Sequence, residues 1–124
     1  MKELVYLFLG GGLGSVFRYL LHVLINGKGS VVGFPWSTFI TNIAGSLLIG
    51  VFYALSARFQ FSTETRLFLT VGLCGGFTTF STFSNESLFL FREGAFGTLI
   101  AYIVLSVILG ILAVWAGACV ADKI

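Results

Sequence analysis

The hydrophobic positions of this sequence form four long runs, which short polar connections separate. Each run is long enough to supply the roughly 20 mainly apolar residues that a helix needs to cross a bilayer. The runs cover residues 4–25, 36–57, 66–91 and 98–120. This pattern predicts an all-α membrane protein with four transmembrane helices in a single transmembrane domain, residues 1–124.

The connections carry residues that are typical of helix ends. The segment 26–30 has turn chemistry, and Pro35 suits the start of a second helix at Trp36. Ser62 or Thr63 can cap the third helix. The first run follows a lysine, as a signal peptide does, but it is too long and lacks a clear cleavage site, so we expect it to be retained.

The composition agrees with a membrane location and argues against several partners. Hydrophobic residues make up 57% of the chain and charged residues 10%, and the mean hydropathy is +1.03, which leaves too little polar surface to coat a water-soluble globule. The formal charge of +2 is small and dispersed, so we expect no nucleic-acid partner. Cys74 and Cys119 have neither metal-type nor disulfide spacing and are expected to be packing residues.

Positive residues are divided almost equally between the two sides of the predicted bundle. The side that holds both termini has four, Lys2, Arg58, Arg66 and Lys123. The other side has Lys28, Arg92 and, by snorkelling, Arg18. Because this distribution favours neither orientation, we hypothesise that two copies insert in opposite directions and form an antiparallel homodimer about a two-fold axis in the membrane plane.

The third run differs from the others because it is rich in glycine and hydroxyl residues. Residues 72–84 read GLCGGFTTFSTFS. Glycine holds a helix poorly, and non-helical backbone at this depth survives only inside protein or beside a watery cavity. We therefore predict a break whose freed carbonyls would be cation ligands. The alternative is that glycines allow close helix contact and the hydroxyls bond to their own helix.

Polar positions also follow one face of the second and fourth helices at steps of four. They are Thr38, Asn42, Ser46 and Gly50 in the second helix, and Thr98, Tyr102, Ser106 and Gly110 in the fourth. Each face can line a shared polar track. The Asn42 amide either joins helices or offers donors to a passing solute. In the third helix, Phe80 and Phe83 share one face, and their ring edges can solvate an anion or pack in the core.

One arginine, one histidine and one glutamate lie well inside the predicted spans. Arg18 and His22 share a face of the first helix; the arginine is a functional candidate or a snorkelling residue, and the histidine is expected to be interfacial. Glu86 is the only acid well inside a span and is expected either to neutralise Arg18 or to cap backbone. No catalytic triad, paired carboxylates or metal-ligand cluster is present in the sequence, so we expect no enzyme activity.

The motifs together closely resemble those of the Fluc/CrcB family of fluoride channels, nearly from end to end. In the third helix, GGFTTFSTFS at 75–84, followed by Glu86, is similar to the family's signature. The other helices add matches at moderate specificity: Thr38, Asn42, Gly45 and Ser46 in the second, and Gly14, Arg18 and Tyr19 in the first.

The resemblance implies a passive fluoride-selective channel in the bacterial inner membrane, built as a dual-topology antiparallel homodimer with two pores. It implies that the fluoride pathway involves Phe80, Phe83, Asn42, Ser81, Thr82, Tyr102 and Ser106. It also implies that Arg18 lies near a pore entrance. A structural sodium ion at the dimer axis would be held by the backbone carbonyls of Gly75 and Thr78.

The resemblance is weaker in the fourth helix, where Gly110 and Val114 stand at positions that carry hydroxyls in some members. The far end of that polar track therefore has no assigned residues. Two other functions remain open: a small proton-coupled multidrug exporter and a non-transporting membrane scaffold. The exporter would need a carboxylate in the first helix, which has only Glu3, at its start.

Overall fold

The computed structural model describes residues 1–26 and 33–124, so most of the predicted turn at 26–30, with Lys28, lies outside the described residues. The helices are α1 (Lys2–Asn26), α2 (Trp36–Phe59), α3 (Thr63–Arg66), the π-helix π1 (Leu67–Cys74), α4 (Gly75–Phe77), α5 (Phe80–Arg92) and α6 (Phe96–Asp122). The segments α3 to α5 follow one another as a third span, Thr63–Arg92.

Four helices in the described part of the chain are long and apolar enough to cross a membrane, which confirms the predicted all-α, four-span arrangement. Large apolar side chains are exposed along all four, as lipid-facing positions require. The prediction for the start of the third span is also confirmed, because the Ser62 side chain accepts a hydrogen bond from the Thr65 amide at 3.2 Å.

Helix α1 packs against the third span through glycine. A methyl group added at Gly10 would overlap the carbonyl oxygen of Phe68, and one added at Gly14 would overlap that of Leu73. From Gly10 to Gly14 the contacts advance along the third span in the same chain direction, so the two helices run parallel. The backbones can come this close only because these positions lack side chains, and Gly10 and Gly14 have the four-residue spacing of small residues at membrane helix contacts.

Helices α2 and α6 form a second parallel pair, again through glycine. Gly50 of α2 lies against the carbonyl of Val114, and Gly117 of α6 lies against that of Leu47. At the end of the pair, the Arg58 guanidinium donates to the last carbonyls of α6, those of Ala121 at 3.1 Å and Asp122 at 3.0 Å. This contact satisfies acceptors that a helix C-terminus leaves free.

The third span contains two departures from α-helical geometry. Residues Leu67–Cys74 form a π-helix, with wider i→i+5 hydrogen bonding, which was not predicted from the sequence. Further along, the backbone is extended at Thr78 (φ −89°, ψ 161°) and Thr79 (φ −152°, ψ 120°) before α5 begins at Phe80. The bend of the span at this point is slight.

Candidate functional site

A cavity of about 340 Å³ lies between α2, the third span and α6, and we call it the central cavity. Four of the residues assigned to the fluoride pathway line it: Asn42, Phe80, Phe83 and Ser106. The carbonyl-bearing Gly75 and Thr78 line it as well. The third span therefore brings ring carbons and backbone to a space that also contains an amide of α2 and a hydroxyl of α6.

Asn42 binds the extended backbone of the third span with both ends of its amide. Its Nδ2 donates to the carbonyl of Thr79 at 3.1 Å, and its Oδ1 accepts from the amide of Thr79 at 2.9 Å. Of the two alternatives for this side chain, the first is thus observed, because Asn42 joins α2 to the third span. An amide nitrogen has two hydrogens, so one donor remains beside the cavity.

The same region leaves two carbonyls without their α-helical donors. In a continuous helix, the Thr79 amide would donate to the carbonyl of Gly75 and the Thr82 amide to that of Thr78. The Thr79 amide donates instead to Asn42, and the Thr82 amide donates to the hydroxyl of Thr79 at 3.2 Å. Gly75 is exposed and has open space where a Cβ would lie. Neutral oxygen donors of this kind suit a hard monovalent cation.

Phe80 and Phe83 lie at the rim of the central cavity in different surroundings. Their ring centroids are 5.8 Å apart and the rings are tilted by 42°. Phe83 also packs against Tyr102, with centroids 4.9 Å apart. The Phe80 side chain is 79% exposed, so an apolar ring in the middle of a span is left uncovered within a single chain.

Tyr102 and Glu86 belong to a hydrogen-bonded network behind the cavity rather than to its lining. Tyr102 is fully buried, and its hydroxyl donates to Glu86 Oε1 at 2.9 Å. The other carboxylate oxygen, Oε2, accepts from Thr38 at 2.9 Å. In the described residues the hydrogen-bond partners of Glu86 are therefore two hydroxyls, rather than Arg18 or backbone as the sequence had suggested. The network joins α2, α5 and α6 at one level.

Ser81 and Thr82, which the resemblance assigned to the pathway, do not line the central cavity. The hydroxyls of both lie near that of Thr79, at 3.4 Å for Ser81 and 3.1 Å for Thr82. Thr79 is the N-cap of α5. Thr79 was not among the predicted site residues, although threonine is one of the residue types favoured at an N-cap.

A second, smaller cavity of about 190 Å³ lies beside Arg18, and Thr82 lines it together with Thr41 and His22. Within the described part of the chain, Arg18 Nε and Thr41 Oγ1 are buried and have no hydrogen-bond partner. His22 is exposed, and its Nδ1 lies 3.1 Å from the hydroxyl of Ser37. Thr79 lines both this cavity and the central one, so Arg18 lies beside a polar opening next to the central cavity, and its Nε has unused donor capacity.

Metal-binding side chains are not grouped in the described ranges, 1–26 and 33–124: no three His, Cys, Asp or Glu residues could hold an ion together. Cys74 is a free, buried thiol in the lining of the central cavity, and Cys119 is free and partly exposed. An ion in this region would have to be bound by backbone, hydroxyl and amide groups.

Comparison with known proteins finds similarity along nearly the whole chain. The family model described as CrcB-like protein, camphor resistance, matches residues 5–118. Several bacteria have proteins named fluoride-specific ion channel FluC that are similar to this chain. The protein from Bacteroides fragilis is 54% identical over 99% of this chain and 98% of its own length. The one from Phocaeicola vulgatus is 56% identical over 94% and 96%, and the one from Flavobacterium psychrophilum is 48% identical over the full length of both.

Proposed function

We propose that this chain, which belongs to the CrcB-like protein family, is a passive fluoride-selective ion channel that exports fluoride from the cytoplasm and lowers its toxicity. The observation that carries the proposal is the central cavity, in which phenylalanine rings, an amide and a hydroxyl meet in the membrane interior. The names of relatives at 48–56% identity supply the identity of the ion.

The groups around the central cavity have the chemistry that a fluoride path needs. Fluoride is small and strongly hydrated, so a pore must replace its water with several donors that do not bind too tightly. Ser106 Oγ is buried and has no partner among the described residues, so its hydrogen is free to be donated. The remaining hydrogen of the Asn42 amide and the positive ring edges of Phe80 and Phe83 complete the set.

Arg18 is proposed to act at a pore entrance. Its guanidinium lines the smaller cavity with hydroxyl residues of α2 and the third span. Arg18 is half-buried, and a positive charge next to low-dielectric surroundings attracts anions more strongly than one in bulk water, because it is screened less. The side chain would therefore raise the local concentration of fluoride before the ion reaches the central cavity.

A structural sodium ion is proposed at the carbonyls of Gly75 and Thr78. These oxygens fit a monovalent cation because both lack their α-helical donors, as the hydrogen bonds of Thr79 and Thr82 require. We interpret the two extended residues there as the predicted break of the third span. The ion would supply a fixed positive charge that lowers the barrier for a nearby anion.

The proposed assembly is an antiparallel homodimer with dual topology in the bacterial inner membrane. The nearly even distribution of positive residues supports it, since neither orientation is favoured. The exposed ring of Phe80 and the open space at Gly75 support it as well, because a second copy related by a two-fold axis would cover both and bring two sets of carbonyls together.

The two alternative functions make different demands on the chain. A proton-coupled exporter would need a membrane-embedded carboxylate open to substrate, whereas the embedded Glu86 is bound by Thr38 and Tyr102. A scaffold would need its polar groups to be satisfied by helix contacts. Arg18 Nε and Ser106 Oγ have no such partners in the described part of the chain, which favours a path for a solute.

Fluoride efflux from liposomes that contain the purified protein tests the proposal. A fluoride electrode and a chloride electrode are read together, with protein-free vesicles as the control. We expect fast fluoride release without chloride release, and no dependence on an imposed proton gradient. Release that follows the proton gradient would indicate an exporter, and no release above the control from well-folded protein would leave the scaffold.

The assembly and the cation are tested separately. Cysteine accessibility in cells should find both orientations, and copies in one orientation only would contradict dual topology. Exchange of sodium for N-methyl-D-glucamine should lower both the thermal stability of the assembly and the fluoride flux. Equal stability in the two buffers would argue against a structural sodium ion.

A further inference from the structure

The Ser46 hydroxyl of α2 lies beside the central cavity and faces Gly110 of α6, which has no side chain. Asn42 and Ser46 are four residues apart on α2, and both line the cavity. On α6, Ser106 and Gly110 have the same spacing, but only Ser106 contributes a hydroxyl. Because residues four apart on a helix lie one above the other, the two parallel helices present successive levels to the same space.

Gly110 and Ser46 face one another directly. A methyl group added at Gly110 would lie 3.7 Å from Ser46 Oγ, and no other atom outside its own helix surroundings would come within 4 Å. One turn further along, Gly50 meets the carbonyl of Val114 and the two backbones touch. Ser46 is therefore the last polar side chain of α2 on this face before the helices close against each other.

Ser46 is not used within its own helix. Thr70, Thr78 and Ser87 each donate a side-chain hydrogen bond to the carbonyl four residues earlier, at 2.7, 2.9 and 2.8 Å. Among the side-chain hydrogen bonds between described residues, Ser46 takes part in none. Its hydroxyl is therefore free for a ligand in the cavity, as the unpartnered hydroxyl of Ser106 is.

We propose that Ser46 is a further residue of the fluoride pathway, whose hydroxyl donates to the anion at the level where Gly110 leaves α6 bare. The pathway then crosses from Ser106 on α6 to Ser46 on α2. This inference rests on the proposed function and extends it to one specific position. Apart from Asn42, Ser46 and Ser106, the residues of α2 and α6 that line the cavity are Gly45, Ile49 and Val107, which offer no side-chain donor. Without Ser46, an anion that has lost its water would have one replacement donor fewer on this side of the cavity.

Substitution of Ser46 tests the proposal in the liposome assay on the full-length protein. One hydrogen bond contributes about 0.5–1.5 kcal/mol, so we expect Ser46→Ala to slow fluoride efflux by roughly two- to tenfold, with an unchanged elution profile in size-exclusion chromatography. Ser46→Cys nearly keeps the volume but is a weaker donor, and it should slow efflux as well. Ser56→Ala is the matched control, since Ser56 lies on the same helix beside a different cavity.

Moving the hydroxyl to the facing helix separates a donor role from a packing role. Since the space beside Gly110 is open except for Ser46, Gly110→Ser should fit, and the double variant Ser46→Ala with Gly110→Ser should recover much of the flux. Wild-type speed in Ser46→Ala would overturn the inference while the proposed function stands. Slow efflux that Gly110→Ser does not restore would overturn it too. Absence of fluoride efflux from the wild-type protein would reject the proposed function itself.

Discussion

The third span and α6 both cross the bundle, yet they contribute to the site in different ways. Helix α6 runs without interruption over Phe96–Asp122. The third span, Thr63–Arg92, combines α-helix, π-helix and two extended residues. The regular helix presents side chains at fixed intervals, whereas the irregular span presents its own backbone.

The difference shows how a span can expose carbonyls in a membrane at tolerable cost. Non-helical backbone inside a bilayer must find partners within the protein. The Asn42 amide oxygen accepts a hydrogen bond from the Thr79 N–H in the extended segment, and the Thr79 hydroxyl accepts one from the Thr82 N–H in the first turn of α5. They leave the oxygens of Gly75 and Thr78 available. Helix α6 needs no such support, because its backbone satisfies itself and the Ser106 hydroxyl projects from it.

The largest loss of stability is expected from removing the Asn42 side chain, which supports the irregular segment of the third span. Asn42→Ala leaves the Thr79 amide and carbonyl without partners. An unsatisfied buried group costs about 1–3 kcal/mol, so the free energy of unfolding should fall by about 2–6 kcal/mol and fluoride flux should be lost. Thermal unfolding in detergent, followed by size-exclusion chromatography, measures the change.

The neighbouring Thr41 provides the control for that substitution. Its hydroxyl is buried and has no partner among the described residues, so Thr41→Val should leave stability unchanged or slightly raised. If Asn42→Ala proved as stable as Thr41→Val, the amide would not be what holds the extended backbone, and the contrast with α6 would need another cause.

A smaller loss of stability is expected from separating the third span from α1. Gly14→Ala would drive a methyl group into the carbonyl of Leu73 and to within 2.8 Å of the Phe77 amide. Overpacking of this kind costs about 1–3 kcal/mol. Gly12→Ala is the matched control on the same helix, since nothing lies within 4 Å of its added Cβ. Equal unfolding temperatures for the two variants would show that the close backbone contact does not stabilise the fold.

Loss of the cap on α5 should cost less again. Thr79→Val removes the oxygen that accepts from the Thr82 amide, and the loss of an N-cap costs about 0.5–2 kcal/mol. Thr79→Ser should retain the cap. Helix α6 begins without a side-chain cap, so Thr98→Val near its start should change stability by less than about 0.5 kcal/mol. A Thr79→Val variant as stable as Thr98→Val would contradict the capping role.

The smallest change in stability should accompany a large change in flux. Phe80 is 79% exposed in the single chain, so Phe80→Ile should alter folding by no more than about 0.5 kcal/mol. Phe83→Ile should cost somewhat more, because Phe83 packs on Tyr102. Both should suppress fluoride efflux while assembly persists. Phe89→Ile, at a 61% exposed position away from the cavities, should conduct normally. Unchanged flux in both pathway variants would exclude a role for the ring edges.

Several features could be read from the sequence because they depend on local pattern. The four spans follow from the length and polarity of the hydrophobic runs, and their observed ends agree to within three residues. The glycine contact of α1 and the Ser62 cap follow from residue spacing. The shared face of Phe80 and Phe83 follows from helical periodicity, and both rings reach the central cavity.

Other features were not predictable from one sequence because they depend on distant partners. The π-helix in the third span has no distinct composition. Glu86 could have been assigned several partners, and only the packing of α2, α5 and α6 brings Thr38 and Tyr102 to its two oxygens. Tyr102 shares its periodic face with Ser106, yet its hydroxyl turns to this network and leaves the cavity to Ser106.

The sequence by itself determined that the chain crosses a membrane four times and that its polar groups gather on particular helix faces, because apolar length and periodicity act within each segment. The tertiary structure decided which of those polar groups form hydrogen bonds within the protein and which remain available to a solute. Asn42 meets Thr79 across 37 positions of sequence, and by accepting from the Thr79 amide it leaves the carbonyl of Gly75 without its α-helical donor. A hydrogen bond between distant segments leaves no local pattern, since its energy depends on where helices pack and not on the residues that surround either partner in the chain.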